Sequence, residues 1–163
     1  DLRLSRGLGD VYKRQELAMA CDFRFATKDT LVGLPESSLG QMPGSGGSVR
    51  VARIAGLTRA KDMVMLGTRI SAIEAHEWGL LTNVVEDAAA LQTMVEEYAG
   101  KLNALSPIAL ASLKKVLNSA YDSPLKTSLE VEGHSYEKLR WTHDYSEGIA
   151  AFAERRKAKF KGE

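Results

Sequence analysis

The tightest constraint in this chain is the run Pro43-Gly44-Ser45-Gly46-Gly47, followed at once by apolar residues at helical spacing. Three glycines in five positions permit backbone conformations that other residues reach only at a cost, so the run predicts a tight turn into a helix. A helix start carries backbone N–H groups with no partner inside the helix, and such a turn presents them to whatever packs against it. Upstream stand two carboxylates, Glu16 and Glu36, twenty residues apart. Glu16 opens a short helical pattern, ELAMAC, built from good helix formers. Glu36 follows an extended pattern through Leu34-Pro35; the proline biases Leu34 to extended backbone, so Glu36 is expected on irregular backbone rather than on a helix. Paired carboxylates on separate elements, beside a helix N-terminus, suit acid–base chemistry on an activated carbonyl compound.

Around that stretch the pattern alternates between short strands and helices. Phe23–Thr27 alternates like a half-buried strand, Lys28-Asp29 supplies a turn, and Thr30–Gly33 reads as a second strand. From Gly46 to Leu66 the apolar positions Val49, Ala52, Ile54, Ala55, Met63, Val64 and Leu66 predict two helices, broken near Gly56 with Thr58 as the second N-cap. Ser71-Ala72-Ile73-Glu74 reads as a capping box, and Gly79 as the left-handed stop of that helix. Leu80–Val85 is strand-like. Helices are expected over 88–105, from Ser106-Pro107 to about Tyr121, over 125–141, and from Asp144 with Glu147 as its N3 partner. Residues 1–15, DLRLSRGLGDVYKRQ, lack periodicity and read as a non-native scar, the alternative being a native loop and half a strand.

The 163 residues suffice for one domain with a real core. A hydrophobic content of 44%, a charged content of 26% and a net charge of +1 point to neither nucleic acid nor membrane. The single cysteine, Cys21, rules out an internal disulfide and reads as a small buried apolar residue. The three histidines share no close spacing, so no metal site is expected.

The pieces ELAMACDFRFAT, LPESSLGQMPGSGGSVRVARIAG, MLGTRISAIEAHEWGLLTNVV, SPIALASLKKVLN and EGIAAFAERRKAKFKGE resemble, in order, the C-terminal part of an enoyl-CoA hydratase of the crotonase superfamily. The resemblance implies an α/β, crotonase-like ββα superhelix, N-terminally truncated and with a helical C-terminal half. Beyond the non-native segment (1–15), the domains would be the C-terminal part of the crotonase core (16–105) and a helical oligomerisation region (106–163). It also implies a hydro-lyase that adds water syn to a trans-2-enoyl-CoA, giving a 3-hydroxyacyl-CoA. In that family one glutamate follows a triple glycine in G-G-G-x-E-L-A and the other follows a proline before P-G-x-G-G, which here fall on Glu16 and Glu36. Glu16 would activate water for attack at C3, Glu36 would deliver a proton to C2, and the Gly44 amide would orient the water. Pro35, Leu39, Pro43, Phe152 and Lys159 would touch the substrate. The basic tail, Arg155 to Lys161 around Phe160, would be a terminal helix near the coenzyme A phosphates. No cofactor is implied beyond the coenzyme A of the substrate. The implied partners are an acyl-CoA thioester and further copies in a homotrimer or dimer of trimers. The implied compartment is the cytoplasm, or an organellar matrix in a eukaryote, in fatty-acid β-oxidation.

The chemistry agrees with these roles. Hydration builds negative charge on the thioester oxygen and needs preorganised N–H donors. Two nearby carboxylates do not both ionise freely, which separates acid from base. The match departs at the N-terminal side, where the family's A-G-x-D loop is absent and Tyr12-Lys13-Arg14 stands in place of the triple glycine. Lys13 would occupy the position of an oxyanion-hole amide, so impaired turnover is expected. Each feature also has a structural reading: Glu16 as a helix-start charge in solvent, Glu36 as a loop charge, Arg50 and Arg53 as a solvated face, Trp78 and Trp141 as packing. An isomerase of the same superfamily, an RNA-binding or interaction member, and an inactive fragment are the competing functions.

Overall fold

The computed structural model describes residues 15–163. The expectations placed on residues 1–14, including Lys13 in the glycine run, lie outside the described residues. Two compact units result, one through Val95 and one from Glu96.

In the first unit the described chain starts with one helical turn, α1 (15–19), whose Met19 is buried. β1 (Phe25–Thr27) runs parallel to β4 (Asn83–Val85), with Ala26 opposite Val84. Arg24 fastens the two: its backbone exchanges hydrogen bonds with Thr82, and its Nε donates to the Leu80 carbonyl. β2 (Leu31–Gly33) pairs antiparallel with β3 (Arg69–Ser71), Val32 opposite Ile70. β3 has no counterpart in the sequence reading, because a single buried Ile70 between exposed Arg69 and Ser71 is too short a pattern to read. β4 is shorter than the expected 80–85, since the Leu80 and Leu81 amides close the preceding helix on the Ala75 carbonyl.

Four helical elements complete the unit: a 3-10 helix (Pro35–Leu39), α2 (Gly47–Ala55), α3 (Leu57–Met65) and α4 (Ala72–Glu77). Glu36 therefore sits in the first turn of a short helix rather than on irregular backbone. Pro35 does hold Leu34 off helical backbone (φ −126°, ψ 79°), but its own fixed φ then starts the turn. Gly56, at φ 84° and ψ 160°, ends α2 and begins α3 in a single residue, so the second N-cap is Gly56 and not Thr58. Ser71 caps α4 as expected, accepting from the Glu74 amide at 3.2 Å, and Gly79 takes its left-handed place. The buried stripe runs through Val51, Ala60 and Met63 onto Val32, Leu34, Ile70 and Leu80. Val49 and Leu66, expected in that stripe, are exposed. Cys21 is exposed too, because α1 gives way to a surface bend before it can be covered.

α5 (Ala88–Asn103) leads into the second unit, and Leu91, Met94, Tyr98 and Leu102 on its apolar face are half-buried. α6 (Pro107–Asp122) has Ser106 as N-cap and Pro107 in its first position. α7 (Leu125–Arg140) packs against α6 through small side chains, with the Ser128 hydroxyl donating to the Ser119 carbonyl. α8 (His143–Ala153) is capped by Thr142, whose hydroxyl accepts from the Tyr145 amide; Asp144, the expected start, lies inside the helix. The buried residues of this unit include Ser106, Ser128, Ser135, Asp144 and Ala151. Trp141 is 84% exposed and bonds Glu137 one turn back, so it does not pack.

Candidate active site

The site is built from α1, the 3-10 helix and the glycine turn before α2. Glu16 is only 3% exposed, and its Oε1 accepts from the Ser45 amide at 2.9 Å and the Gly47 amide at 3.1 Å. It is not a charge in solvent at the start of its own helix. It lies against the N-terminus of α2, where free amides and the helix dipole both favour an anion. Among the described residues Oε2 of Glu16 has no hydrogen-bond partner.

The glycines make that approach possible. Gly46 adopts φ 88°, the left-handed conformation open to glycine at low cost. A Cβ on Gly47 would stand 2.9 Å from Glu16 Oε1 and 3.1 Å from Leu34 Cδ1, so the carboxylate and the residue two before Glu36 converge on this glycine. Arg50 is not merely a solvated residue: its Nη1 donates to the Ser45 carbonyl at 2.8 Å and braces the turn. Among the described residues no acceptor takes the Gly44 N–H, and no atom lies within 4 Å of a Cβ placed there.

Glu36 is 8% exposed, and its Oε2 is buried with no hydrogen-bond partner among the described residues. An unpaired buried carboxylate oxygen is costly in an ordinary interior and calls for a ligand, a proton or a donor from outside. Pro35 beside it is buried, and a Cβ on Gly67 would stand 3.2 Å from the Pro35 Cα, so the 3-10 helix lies close against the turn that follows α3. Pro43 is buried as well, whereas Leu39 is half exposed.

Gln15, the last residue of the stretch that reads as non-native in the sequence, is bonded to β2. Its Oε1 accepts from the Gly33 amide at 2.9 Å, and its Nε2 donates to the Leu31 carbonyl at 3.3 Å. No pattern in the sequence marks a glutamine for this, since both partners lie some sixteen to eighteen residues away.

Residues 15–163 match the enoyl-CoA hydratase/isomerase family model. The chain belongs to the enoyl-CoA hydratase/isomerase family. It is 40% identical over 147 residues to YngF of Bacillus subtilis, covering 90% of this chain and 56% of that protein. It is 37% identical to the 2,3-dehydroadipyl-CoA hydratase of Escherichia coli, covering 90% of this chain and 57% of that one. A crystal structure of enoyl-CoA hydratase from Bacillus anthracis superposes with a TM-score of 0.88 at 40% identity, over 91% of this chain and 57% of that chain. The fold is thus that of the crotonase-type hydratases, and the chain spans about half the length of the curated relatives it matches.

Two residues expected at the substrate from the enoyl-CoA hydratase/isomerase resemblance, Phe152 and Lys159, lie in the second unit. Phe152 is 87% exposed and lines an open apolar hollow of about 460 Å³ with Leu110, Leu113, Ile149 and Phe160. Lys159 is exposed, and its amide donates to Glu147 at 2.7 Å. The basic tail is not a helix, because α8 ends at Ala153 and the chain turns back along it. Arg156 forms ion pairs with Glu147 and Glu154, both at 2.6 Å, and the Glu147 pair with its Lys159 bond brings that carboxyl down to about 2. Burial pushes the Asp144 carboxyl up, but bonds from the Lys161 and Gly162 amides and the Ser106 hydroxyl outweigh it and hold the group below its ordinary value. Those bonds commit the Lys159, Lys161 and Gly162 amides to the acids of α8 in place of intrahelical partners, so no terminal helix forms. Among the described residues no cluster of His, Cys, Asp and Glu has the arrangement of a metal site, and no helix is long and apolar enough to cross a membrane.

Proposed function

We propose that this chain carries the paired-acid part of an enoyl-CoA hydratase site, acting on a trans-2-enoyl-CoA thioester. Glu16 takes a proton from a water molecule as its oxygen bonds to C3, and Glu36 supplies a proton to C2. The two glutamates then re-equilibrate through solvent, so one water is added and a 3-hydroxyacyl-CoA leaves. The observation that carries this reading is the buried Oε2 of Glu36, which has no partner among the described residues, in the same unit as a Glu16 carboxylate that those residues pin through Oε1 alone. Each acid keeps one oxygen for a shared solvent molecule, as general acid–base catalysis requires. The open Gly44 N–H supplies a donor that orients the water.

Pro35, Leu39 and Pro43 are the substrate contacts this reading assigns in the first unit, and Phe152 and Lys159 those it assigns in the second. The reading asks for no resident cofactor, and it places the chain in a homotrimeric or hexameric assembly in the cytoplasm or an organellar matrix. Lys13, standing where the triple glycine supplies an oxyanion donor, lowers the expected rate; loss of one such donor costs about 2.7–4 kcal/mol of transition-state stabilisation. Possession of both glutamates favours hydration over double-bond isomerisation, for which one acid suffices. The test is incubation of the polypeptide with crotonyl-CoA and, separately, with a 3-enoyl-CoA. Slow appearance of 3-hydroxybutyryl-CoA, abolished by Glu16→Gln, supports the reading. Conversion of the 3-enoyl ester to the 2-enoyl ester without hydration refutes it.

A further inference from the structure

Gln15 takes no part in the proposed proton transfers, yet its carboxamide occupies a telling place. Leu31 and Gly33 are alternate residues of β2, so their backbone groups face one edge of the strand. The opposite edge is taken by β3 and, at Thr30, by the Ala72 amide. On the other edge, Gln15 accepts from the Gly33 N–H at 2.9 Å and donates to the Leu31 C=O at 3.3 Å. One side chain thus makes the pair of bonds that a residue of a neighbouring strand would make. The next residue after Gln15 is Glu16, and the third residue after Gly33 is Glu36.

We infer that Gln15 is a positioning residue, setting the separation between the helical turn that bears Glu16 and the strand that delivers Glu36. The spacer is the reach of its side chain: two methylenes and a planar amide whose donor and acceptor each meet a fixed backbone group. A second tether is Gly47, whose amide bonds the Glu16 carboxylate at 3.1 Å and which leaves no room for a Cβ between that carboxylate and Leu34. Gly47 restrains the carboxylate end of Glu16, and Gln15 restrains its backbone end. Removing the amide frees the turn to slide along β2 while leaving the carboxylates chemically intact. This inference rests on the proposed hydratase reading for its kinetic consequence, though not for its structural one.

The test compares Gln15→Leu and Gln15→Glu with Leu17→Ala, an exposed position on the same turn. Gln15→Leu keeps the bulk and loses both bonds. Gln15→Glu keeps the acceptor for Gly33 but sets a carboxylate against the Leu31 carbonyl. With crotonyl-CoA, both Gln15 variants are expected to lose kcat by roughly 10–100-fold with KM held, the signature of misplaced acids rather than lost binding. In amide NMR spectra of the same polypeptides, the Ser45 and Gly47 resonances, whose N–H groups bond Glu16, should move along with that of Gly33. Leu17→Ala should change neither kcat nor those resonances. A shifted Gly33 signal with unmoved Ser45 and Gly47 signals and an unchanged kcat would overturn the inference, leaving Gln15 as a local strand cover. If the parent polypeptide hydrates nothing, the hydratase reading fails, while the amide resonances still decide whether Gln15 positions Glu16.

Discussion

Substituting Gly47 by alanine perturbs the candidate site through one methyl group. Gly47 is the first residue of α2 and does not have positive φ, so its backbone accepts alanine without strain. The new Cβ would stand 2.9 Å from Glu16 Oε1, 3.0 Å from Glu16 Cγ and 3.1 Å from Leu34 Cδ1. Leu34 is fully buried and cannot retreat, so the carboxylate must give way by several tenths of an ångström. That movement stretches the bonds from Ser45 and Gly47 that hold it. Overpacking of this kind costs about 1–3 kcal/mol, and the helical preference of alanine over glycine returns about 0.5–1 kcal/mol. The net loss of stability is therefore on the order of 1 kcal/mol, small for a folded domain. Hydration should fall by roughly 3–10-fold, since a shift of several tenths of an ångström is a fraction of the displacement of about 1 Å that costs about 10²-fold in rate. Chemical denaturation and crotonyl-CoA turnover, measured on the same preparations, separate the two quantities. Gly100→Ala and Gly133→Ala serve as controls, since a Cβ there meets nothing within 4 Å. They should gain about 0.5–1 kcal/mol and leave the rate unchanged. A Gly47→Ala protein that hydrates at the parent rate would refute the argument that Glu16 works from a fixed position.

Two further outcomes follow from the second unit. The Glu147 carboxyl is lowered from an ordinary 4.5 to about 2 by Arg156 and the Lys159 amide. A lowered folded-state value means that the stabilisation is fully present above about 4.5 and is lost as pH falls toward 2. Acid titration followed by NMR should therefore release the Lys159 amide within that window, and Glu147→Gln should abolish the pH dependence of its signal. Ser106→Ala removes both the N-cap bond to the Ala109 amide and a donor to Asp144. It should destabilise the unit by about 1 kcal/mol or somewhat more in thermal unfolding.

What the sequence made legible was mostly local. The caps at Ser71 and Ser106, the first-turn Pro107 and the left-handed Gly79 each depend on neighbours within four residues, and each stands where those rules put it. The ordered motifs carried the family, and the family matches. Features that depend on distant partners were not legible. From its local sequence alone, without the family motif, Glu16 reads as an exposed helix charge, because the amides that bury it are 29 and 31 residues away. β3 is three residues long and has no alternation of its own beyond Ile70. Thr142 outcompeted Asp144 as a cap because Asp144 is committed to the Ser106 hydroxyl and the returning tail, a contact invisible in its local sequence. The same tail, read as a basic helix, is held instead by the acids of α8.

Turnover of crotonyl-CoA by Glu36→Gln, read beside its thermal unfolding, tests the paired-acid account most directly. Glutamine keeps the shape of the side chain and removes the transferable proton of a carboxyl group whose Oε2 is buried with no partner among the described residues. The account predicts that hydration falls by about 10²–10⁴-fold, the usual worth of a general acid, while the unfolding midpoint holds or rises. Hydration at the parent rate, or a midpoint that falls in step with the rate, would contradict it.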